Sequence, residues 1–185
     1  MEDARIVEMY FDRDENAIKE TETKYGKYCH HIAYNILHSE LDAEECVNDT
    51  YLRAWDAIPP HRPSRLSTFL GKITRNLALN RYQRDHAQKR GSDVDIAIDE
   101  LAEIIADPES LTDDEDSGAI SEALNRFLGS LSQDVRVIFV RRYWYMCRIS
   151  DIAVGLGISE SRVKVTLHRT REKLKAYLKK EGIDL

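Results

Sequence analysis

Basic side chains crowd into the segment from Glu160 to Lys180, near the end of the chain. This segment carries eight lysines and arginines and only two acids. Lysine and arginine bind phosphate through charge and hydrogen bonds, whereas a solvated structural helix usually mixes the two signs more evenly. The residue types therefore favour binding of a polyanion such as nucleic acid. The eight bases are Arg162, Lys164, Arg169, Arg171, Lys173, Lys175, Lys179 and Lys180.

The residues around the start of this basic segment have the pattern of a helix-turn-helix. The pattern predicts a first helix over 151–156 capped by Ser150, a left-handed turn at Gly157, and a second helix capped by Ser159. An ordinary helical hairpin would share this spacing. The excess of bases in the second helix favours DNA, because such a helix enters the major groove.

The polar and basic side chains of the second helix divide by position. Outward positions near the helix N-terminus suit base edges in the major groove, whereas the remaining positions better suit phosphates. The base-edge group is Lys164, Val165, His168 and Arg169. The phosphate group is Arg162, Arg171 and Lys173.

Charge is segregated along the whole chain, whose formal net charge is -6. Residues 61–90 form a second basic block with eight bases and one acid, and residues 91–122 hold twelve acids and no base. The second basic block opens with the loop PPHRPSRLS, which its prolines stiffen. Two basic blocks separated by an acidic one indicate a two-point contact with a polyanion.

Apolar spacing predicts three helices in the first half of the chain. The first runs from Ala17 to His38, and the second starts at Asp42, where Asp42 and Glu45 have the form of a capping box, and stops at Pro59. The third covers residues 68–90. Together they predict a compact helical domain ending at about Arg90.

The second half of the chain returns to helical spacing after the acidic block. The stretch IAIDELAEII could form a short amphipathic helix, and the rest of residues 91–122 reads as flexible linker. From Ala123 the pattern predicts ALNRFLGSL as a helix, a further helix capped by Ser132, and the helix-turn-helix. No strand alternation is visible. The predicted fold class is all-α, with two small helical domains, 1–90 and 123–185, joined by an acidic flexible linker, 91–122.

Little in the sequence supports an enzyme, a metal site or a cofactor. The three cysteines are far apart without ligand-like spacing, and no Gly-rich phosphate loop or nucleophile motif is visible. His30, His31 and His38 could share a helix face, but such histidines are more often structural or exposed. No signal peptide or membrane-length apolar run occurs, so we expect a cytoplasmic protein without membrane insertion.

Two blocks together resemble the extracytoplasmic-function sigma factors of bacterial RNA polymerase. DAEECVNDTYLRAW followed by LSTFLGKITRNLALNRYQRDHAQKR is similar to sigma region 2, and LSQDVRVIFVRRYWY followed by the helix-turn-helix through TLHRTREKL is similar to region 4. The resemblance implies that region 2 binds the clamp of core RNA polymerase and opens the minus-10 element of promoter DNA. It implies that region 4 docks on the polymerase flap and reads the minus-35 element. Control by an anti-sigma factor is a further expectation.

The resemblance also implies residue roles in region 2. Polymerase contact is expected at Glu45, Asn48, Asp49 and Arg53. Asn76 falls beside the pocket for a flipped non-template base, and the loop 61–67 falls at the base-capturing loop. A separated strand also needs a basic groove for its backbone. The residues expected to hold the downstream element are His61, Arg62, Arg65, Lys72, Arg75, Asn76, Arg81 and Arg84.

The chain also departs from the family pattern, and a second reading competes with it. Val165-Thr166 stands where many members have Ser-Arg, so the promoter sequence cannot be transferred. The loop with Pro59, Pro60 and Pro63 differs from the commoner turn. The competitor is a dimeric helix-turn-helix regulator, in which residues 1–90 would sense or dimerise. It would bind a palindrome without polymerase.

Overall fold

The computed structural model describes residues 1–86, 92–102 and 118–183. All regular secondary structure in those ranges is helical, which confirms the predicted all-α class. The chain divides into two compact units, Met1–Lys89 and Arg90–Leu185. None of the described helices combines the length and the apolar character that crossing a membrane requires.

The first unit is a bundle in which α2, α3 and α4 pack on one another and α1 packs on α2. Its core includes the fully buried side chains of Ile6, Tyr10 and Leu70. The hydroxyl groups of Tyr10 and Thr21 share a buried hydrogen bond of 2.9 Å that joins α1 to α2. The described helices of this unit are α1 (Asp3–Phe11), α2 (Asn16–Leu37), α3 (Glu40–Ala57) and α4 (Leu66–His86).

The helices of the first unit differ in part from those that the sequence predicts. The sequence did not predict α1, and α3 begins at Glu40, two residues before the predicted start. Ser39 is the N-cap of α3, and its hydroxyl accepts a hydrogen bond from the backbone N–H of Asp42 at 3.3 Å. The predicted capping box of Asp42 and Glu45 is therefore wrong. The last residues predicted for α4, 87–90, lie outside the described ranges.

The second unit is built around α7, α8 and α9, which pack on one another. Gly157 takes the predicted left-handed conformation at a φ of 64°, and the Ser159 hydroxyl accepts from the Arg162 N–H at 3.2 Å. The first helix of the motif begins at Ile149 after Arg148, so the predicted cap at Ser150 is wrong. The described helices are α5 (Asp93–Ala102), α6 (Gly118–Ser130), α7 (Gln133–Tyr143), α8 (Ile149–Leu156) and α9 (Glu160–Lys180).

Two stretches of the acidic segment 91–122 are helical. Helix α5 overlaps the predicted amphipathic helix and packs on α7, burying Val94 and Ala97 completely. Helix α6 begins at Gly118, five residues before the predicted start at Ala123. The prediction of a flexible linker for residues 103–117 lies outside the described ranges.

A fully buried arginine in α7 explains why the acidic helix α5 packs here. Two Arg142 nitrogens lie 3.8 Å from carboxylate oxygens of α5, Nη1 from Asp93 and Nε from Glu100, and Nη1 donates to the Cys147 carbonyl at 3.2 Å. Its Nε and Nη2 have no hydrogen-bond partner. Because a buried cation requires compensating charge, the two carboxylates bind α5 to α7.

The Glu100 carboxylate also organises two neighbouring polar side chains. The Tyr143 hydroxyl donates to Glu100 at 2.8 Å, and Arg171 of α9 donates to the Tyr143 hydroxyl at 2.7 Å. Arg171 Nη1 itself lies 3.2 Å from Glu100. Burial raises the pKa of Tyr143 well above its ordinary value, so this hydroxyl stays protonated. One carboxylate thus connects α5, α7 and α9.

We expect Glu100→Gln to destabilise the second unit by about 1–3 kcal/mol, because it removes one of two carboxylates beside a buried guanidinium. Urea unfolding followed by Trp144 fluorescence in a Trp55→Phe background measures the effect. Asp99→Asn is the matched control, since Asp99 is an exposed acid on the same helix. An equal effect from the two substitutions would contradict the role of Glu100.

The same unfolding assay compares the contributions to stability of two serines at N-cap positions, Ser159 and Ser132. Ser159→Ala should reduce the free energy of unfolding by about 1 kcal/mol, because it removes the hydroxyl that accepts from the Arg162 N–H. Ser132 precedes α7 without any side-chain cap bond. Ser132→Ala should therefore change the free energy by less than about 0.5 kcal/mol. A larger loss from Ser132→Ala would disprove this difference.

Candidate nucleic-acid interface

Helix α9 exposes many basic side chains on its solvent-facing side. Its apolar row, which includes Val163 and Leu167, is buried in the second unit. With 3.6 residues per turn, the intervening positions must face outward. The exposed side chains that the sequence assigned to DNA are Arg162, Lys164, Val165, His168, Arg169 and Lys173. Lys164 forms an exposed ion pair of 3.8 Å with Glu160 on the same helix.

Arg171 lies apart from this exposed face. Its side chain is 16% exposed and is held by Glu100 and by the Tyr143 hydroxyl. In this arrangement the guanidinium already faces a carboxylate. To contact a phosphate, Arg171 would have to leave Glu100. The sequence pattern, which assigned Arg171 to phosphate, did not predict this contact with Glu100.

The loop that follows α3 is bound to α1. His61 is exposed, and its backbone N–H donates to the Ala57 carbonyl at 3.0 Å. The Arg62 guanidinium pairs with the Glu8 carboxylate and lies 4.1 Å from the centroid of the Phe11 ring. The hydrogen bond from Arg62 holds the pKa of Glu8 below its ordinary range. The unpredicted helix α1 therefore positions one of the residues assigned to base capture.

Helix α4 carries the central residues assigned to the separated strand. Lys72, Arg75 and Asn76 are half-buried, whereas Arg84 is exposed. Burial lowers the pKa of Arg75 to about 10, so an approaching phosphate would favour its charged form. The Oδ1 atom of Asn76 is buried and has no hydrogen-bond partner. A hydrogen bond from any donor that reaches this buried oxygen would therefore be favourable.

Arg81, also assigned to the separated strand, is bound to α3. Its Nη1 donates to Glu45 Oε2 at 2.7 Å, and its Nη2 donates to Asp42 Oδ1 at 2.5 Å. Asp42 and Glu45 therefore bind a side chain 36 or more residues away instead of capping their own helix. Glu45 had been assigned to polymerase, so the structure brings together residues predicted for different partners.

The outer face of α3 combines polar and apolar side chains. All four residues assigned to polymerase contact are exposed. Two large apolar side chains that the sequence did not assign are also exposed, Leu41 to 75% and Leu52 to 60%. Positions 41, 45, 48, 49 and 52 recur at helical spacing, which places them on one face. That spacing was the signal that could have identified the two leucines.

Three aromatic residues near the proposed strand surface belong to the packing of the first unit. Tyr82 is 4% exposed and belongs to the buried residues of the first unit. Trp55 and Phe69 are partly buried against the core of that unit. Within the described ranges, no group of three or more His, Cys, Asp or Glu side chains could hold a metal ion.

Two family models match the chain in separate segments. The model of Sigma-70 region 2 matches residues 23–88, which include most of α2 and all of α3 and α4. The model of Sigma-70, region 4 matches residues 121–174, which include the helix-turn-helix. The order of the two segments agrees with the order of the two basic blocks.

Several curated proteins are similar over most of the chain. ECF RNA polymerase sigma factor SigL of Mycobacterium tuberculosis is 30% identical over 146 residues, 76% of this chain and 77% of that protein. SigW of Bacillus subtilis is 25% identical and aligns with 90% of this chain and 91% of its own length. SigE of Mycolicibacterium smegmatis is 26% identical over 82% of this chain, which spans 57% of the length of SigE.

Among solved structures, the structure of CnrH in complex with the cytosolic domain of CnrY aligns with 96% of this chain and 97% of that chain. Its sequence identity is 22% and its TM-score is 0.44. The family assignment comes from the sequence matches. With both sigma regions matched in order and SigL similar over three quarters of each chain, the protein belongs to the extracytoplasmic-function (ECF) sigma factors of RNA polymerase.

Proposed function

We propose that this chain joins core RNA polymerase and directs it to promoters. Residues 1–90 bind the clamp and hold the opened minus-10 element, residues 123–185 dock on the flap and read the minus-35 element, and residues 91–122 connect them. The chain has no active site of its own, because the polymerase performs the chemistry. As a polymerase subunit it works in the cytoplasm.

The outward face of α9 is the observation that carries the promoter-reading part of this proposal. Six assigned side chains are exposed there on a helix whose opposite side is buried. Lys164, His168 and Arg169 supply hydrogen-bond donors for base edges, and Val165, which is 44% exposed, suits a thymine methyl group. Arg162 and Lys173 reach phosphates.

The carboxamide of Asn76 supports the proposal for the opened strand. Its buried oxygen has no hydrogen-bond partner, and the amino group of a flipped base is a donor that could satisfy it. Lys72 and Arg75 on the same helix supply positive charge for the strand backbone. The exposed side chains of His61, Arg65 and Arg84 extend this surface.

The outer face of α3 supports a protein partner with basic residues. Glu45 and Asp49 supply negative charge, while Leu41 and Leu52 supply exposed apolar surface. Aromatic, apolar and complementary charged groups together are typical of specific interfaces. The clamp of core polymerase is the partner that the family resemblance implies.

The sigma-factor matches speak against the dimeric regulator. A regulator would use residues 1–90 to sense or dimerise, whereas a sigma region 2 model matches residues 23–88. The anti-sigma factor stays a prediction from the family resemblance, and no described residue identifies it.

The decisive experiment mixes the purified full chain with core RNA polymerase and maps transcripts across the DNA upstream of its own gene. We expect a start site that depends on the chain, and weak DNA binding by the chain alone. A dimeric regulator would instead bind a palindrome without polymerase. Failure to bind core enzyme, or the absence of any dependent start site, would overturn the proposal.

Substitutions in α9 test the upstream contacts. Lys164→Ala combined with Arg169→Ala should reduce initiation by about 10–100-fold, since a good base contact contributes about 1–3 kcal/mol to discrimination. Binding to core polymerase should be unchanged. The matched control is Lys175→Ala with Lys179→Ala, which removes two exposed bases from the far half of the helix. Equal losses from both pairs would show that only overall charge matters.

Asn76→Ala tests the downstream pocket. We expect about 10-fold weaker open-complex formation, measured by permanganate reactivity of unpaired thymines, because about 1–2 kcal/mol of hydrogen bonding to a base is lost. Thermal stability should change little, since the Oδ1 atom has no partner to lose. Asn80→Ala, an exposed amide on the same helix, is the control. Normal opening by the Asn76 variant would exclude it from the pocket.

A further inference from the structure

The loop between α3 and α4, residues 58–65, begins beside a carbonyl group that its own helix cannot satisfy. The Trp55 carbonyl would accept from the residue four positions later, but that residue is Pro59, which has no N–H. Arg13, which follows α1 closely, supplies a donor instead: its Nη1 donates to the Trp55 carbonyl at 2.6 Å. Its guanidinium carbon also lies 5.2 Å from the centroid of the Trp55 ring. The start of the loop is therefore tied to the residues that follow α1.

The far end of the loop is tied to the first turn of α1. Leu66 is the first residue of α4, and the N–H groups of a first turn have no partner within their own helix. The Asp3 carboxylate accepts from this Leu66 N–H. Asp3 Oδ1 also accepts from Lys24 Nζ and from the Tyr25 hydroxyl, each at 2.6 Å, so α2 fixes the carboxylate. Asp3 thus caps α4 from another helix, at a position where the helix dipole also favours negative charge.

Arg62 anchors the middle of the loop on α1. Its Nη1 donates to Glu8 Oε1, and its Nη2 donates to Glu8 Oε2 at 3.5 Å. The guanidinium carbon lies 4.1 Å from the centroid of the Phe11 ring. Pairing of two nitrogens with two oxygens is directional, and the stacked ring adds a second constraint. The pair of donors with which an arginine reads guanine is thereby occupied.

His61 and Arg65 lie on either side of this anchor and are exposed. The Nδ1 atom of His61 lies 3.1 Å from the Ala57 carbonyl, and its ring centroid lies 6.3 Å from that of Phe69, so these contacts orient the ring. Arg65 takes no part in the contacts with α1 and points no donor at Glu8. Side chains on a backbone that is already fixed lose less freedom when they bind, which favours discrimination between ligands.

We propose that α1 determines which base the loop accepts, because it holds the loop backbone at three points. In this arrangement Arg62 anchors the loop on Glu8 and does not read the base. His61 and Arg65 are the loop side chains that meet the base. The inference rests on the proposed function, since it names the residues that give the downstream contact its base preference. The positioning residues are Asp3, Glu8 and Arg13.

The first test exchanges the charges of the anchor in the full chain bound to core RNA polymerase. Initiation is measured on the promoter found by transcript mapping and on templates in which each minus-10 base is replaced in turn. Arg62→Glu and Glu8→Arg should each reduce the preference for the original bases by about 3–10-fold, and the double exchange should restore it to within about threefold of wild type. A change at Glu8 could not restore an arginine that reads the base.

Three further variants serve as comparisons on the same templates. Glu8→Gln should reduce the base preference by about 3–5-fold, because it neutralises the carboxylate that orients Arg62. Asp12→Asn removes the same charge from an exposed position directly after α1 and should match wild type within about twofold. Arg65→Ala should reduce the preference by about 10-fold, because it removes a base contact, and no substitution at Glu8 should restore it.

Hydrogen exchange on the free full chain tests the hold of α1 on the loop without polymerase. Asp3→Asn should raise the exchange rate of the Leu66 amide and of the loop amides by about 3–10-fold, because the Leu66 N–H loses a charged acceptor. Amides in the interior of α3 should keep their wild-type rates, which shows that the variant is folded. Asp12→Asn should leave both sets of rates unchanged.

Four outcomes overturn the inference. They are a charge exchange that fails to restore the base preference, equal effects of Glu8→Gln and Asp12→Asn, unchanged loop exchange in Asp3→Asn, and a wild type without any preference among minus-10 bases. If wild type with core polymerase still initiates from the mapped promoter in any of these cases, the proposed function stands alone. If wild type gives no dependent start site with core polymerase, the proposed function and the inference both fall.

Discussion

The row of side chains that α9 buries decides which of its bases can face DNA. Val163, Leu167, Thr170, Leu174 and Leu178 are each at most 3% exposed. Burial of an apolar side chain of this size contributes about 1.5–3 kcal/mol, so the row opposes rotation of the helix about its axis. The turn at Gly157 and the cap at Ser159 then set where the helix begins. DNA recognition thus depends on the rotation of α9 about its axis, which apolar packing sets, and on its first residue, which the turn and the cap set.

Ion pairs between segments of opposite charge form the second organising feature. In the first unit Arg81 binds carboxylates of α3, and in the second Arg142 and Arg171 bind carboxylates of α5. These arginines are the less exposed ones, whereas the bases of the α9 outer face stay in solvent. The two populations therefore differ in role. Arg81, Arg142 and Arg171 hold helices together, and the exposed bases of α9 remain available for phosphate.

Local chemistry made part of the fold predictable from sequence. The left-handed Gly157 and the cap at Ser159 depend on residues within one turn, and both predictions are confirmed. The capping box at Asp42 failed because Ser39 caps a helix that begins at Glu40, while the Asp42 and Glu45 carboxylates bind Arg81 of the packed bundle. Helix α1 was missed although its buried residues Ile6, Met9 and Tyr10 recur at helical spacing. Likewise, spacing alone could not show that Arg171 faces Glu100.

The buried guanidinium of Arg142 defines how much of the chain the second domain needs in order to fold. The region 4 match begins at residue 121, whereas the carboxylates that neutralise Arg142 belong to Asp93 and Glu100. A fragment cut at the family boundary would retain the cation and lose both counter-charges. A fragment that keeps both counter-charges therefore starts at or before Asp93, inside the segment that the sequence predicts to be a linker.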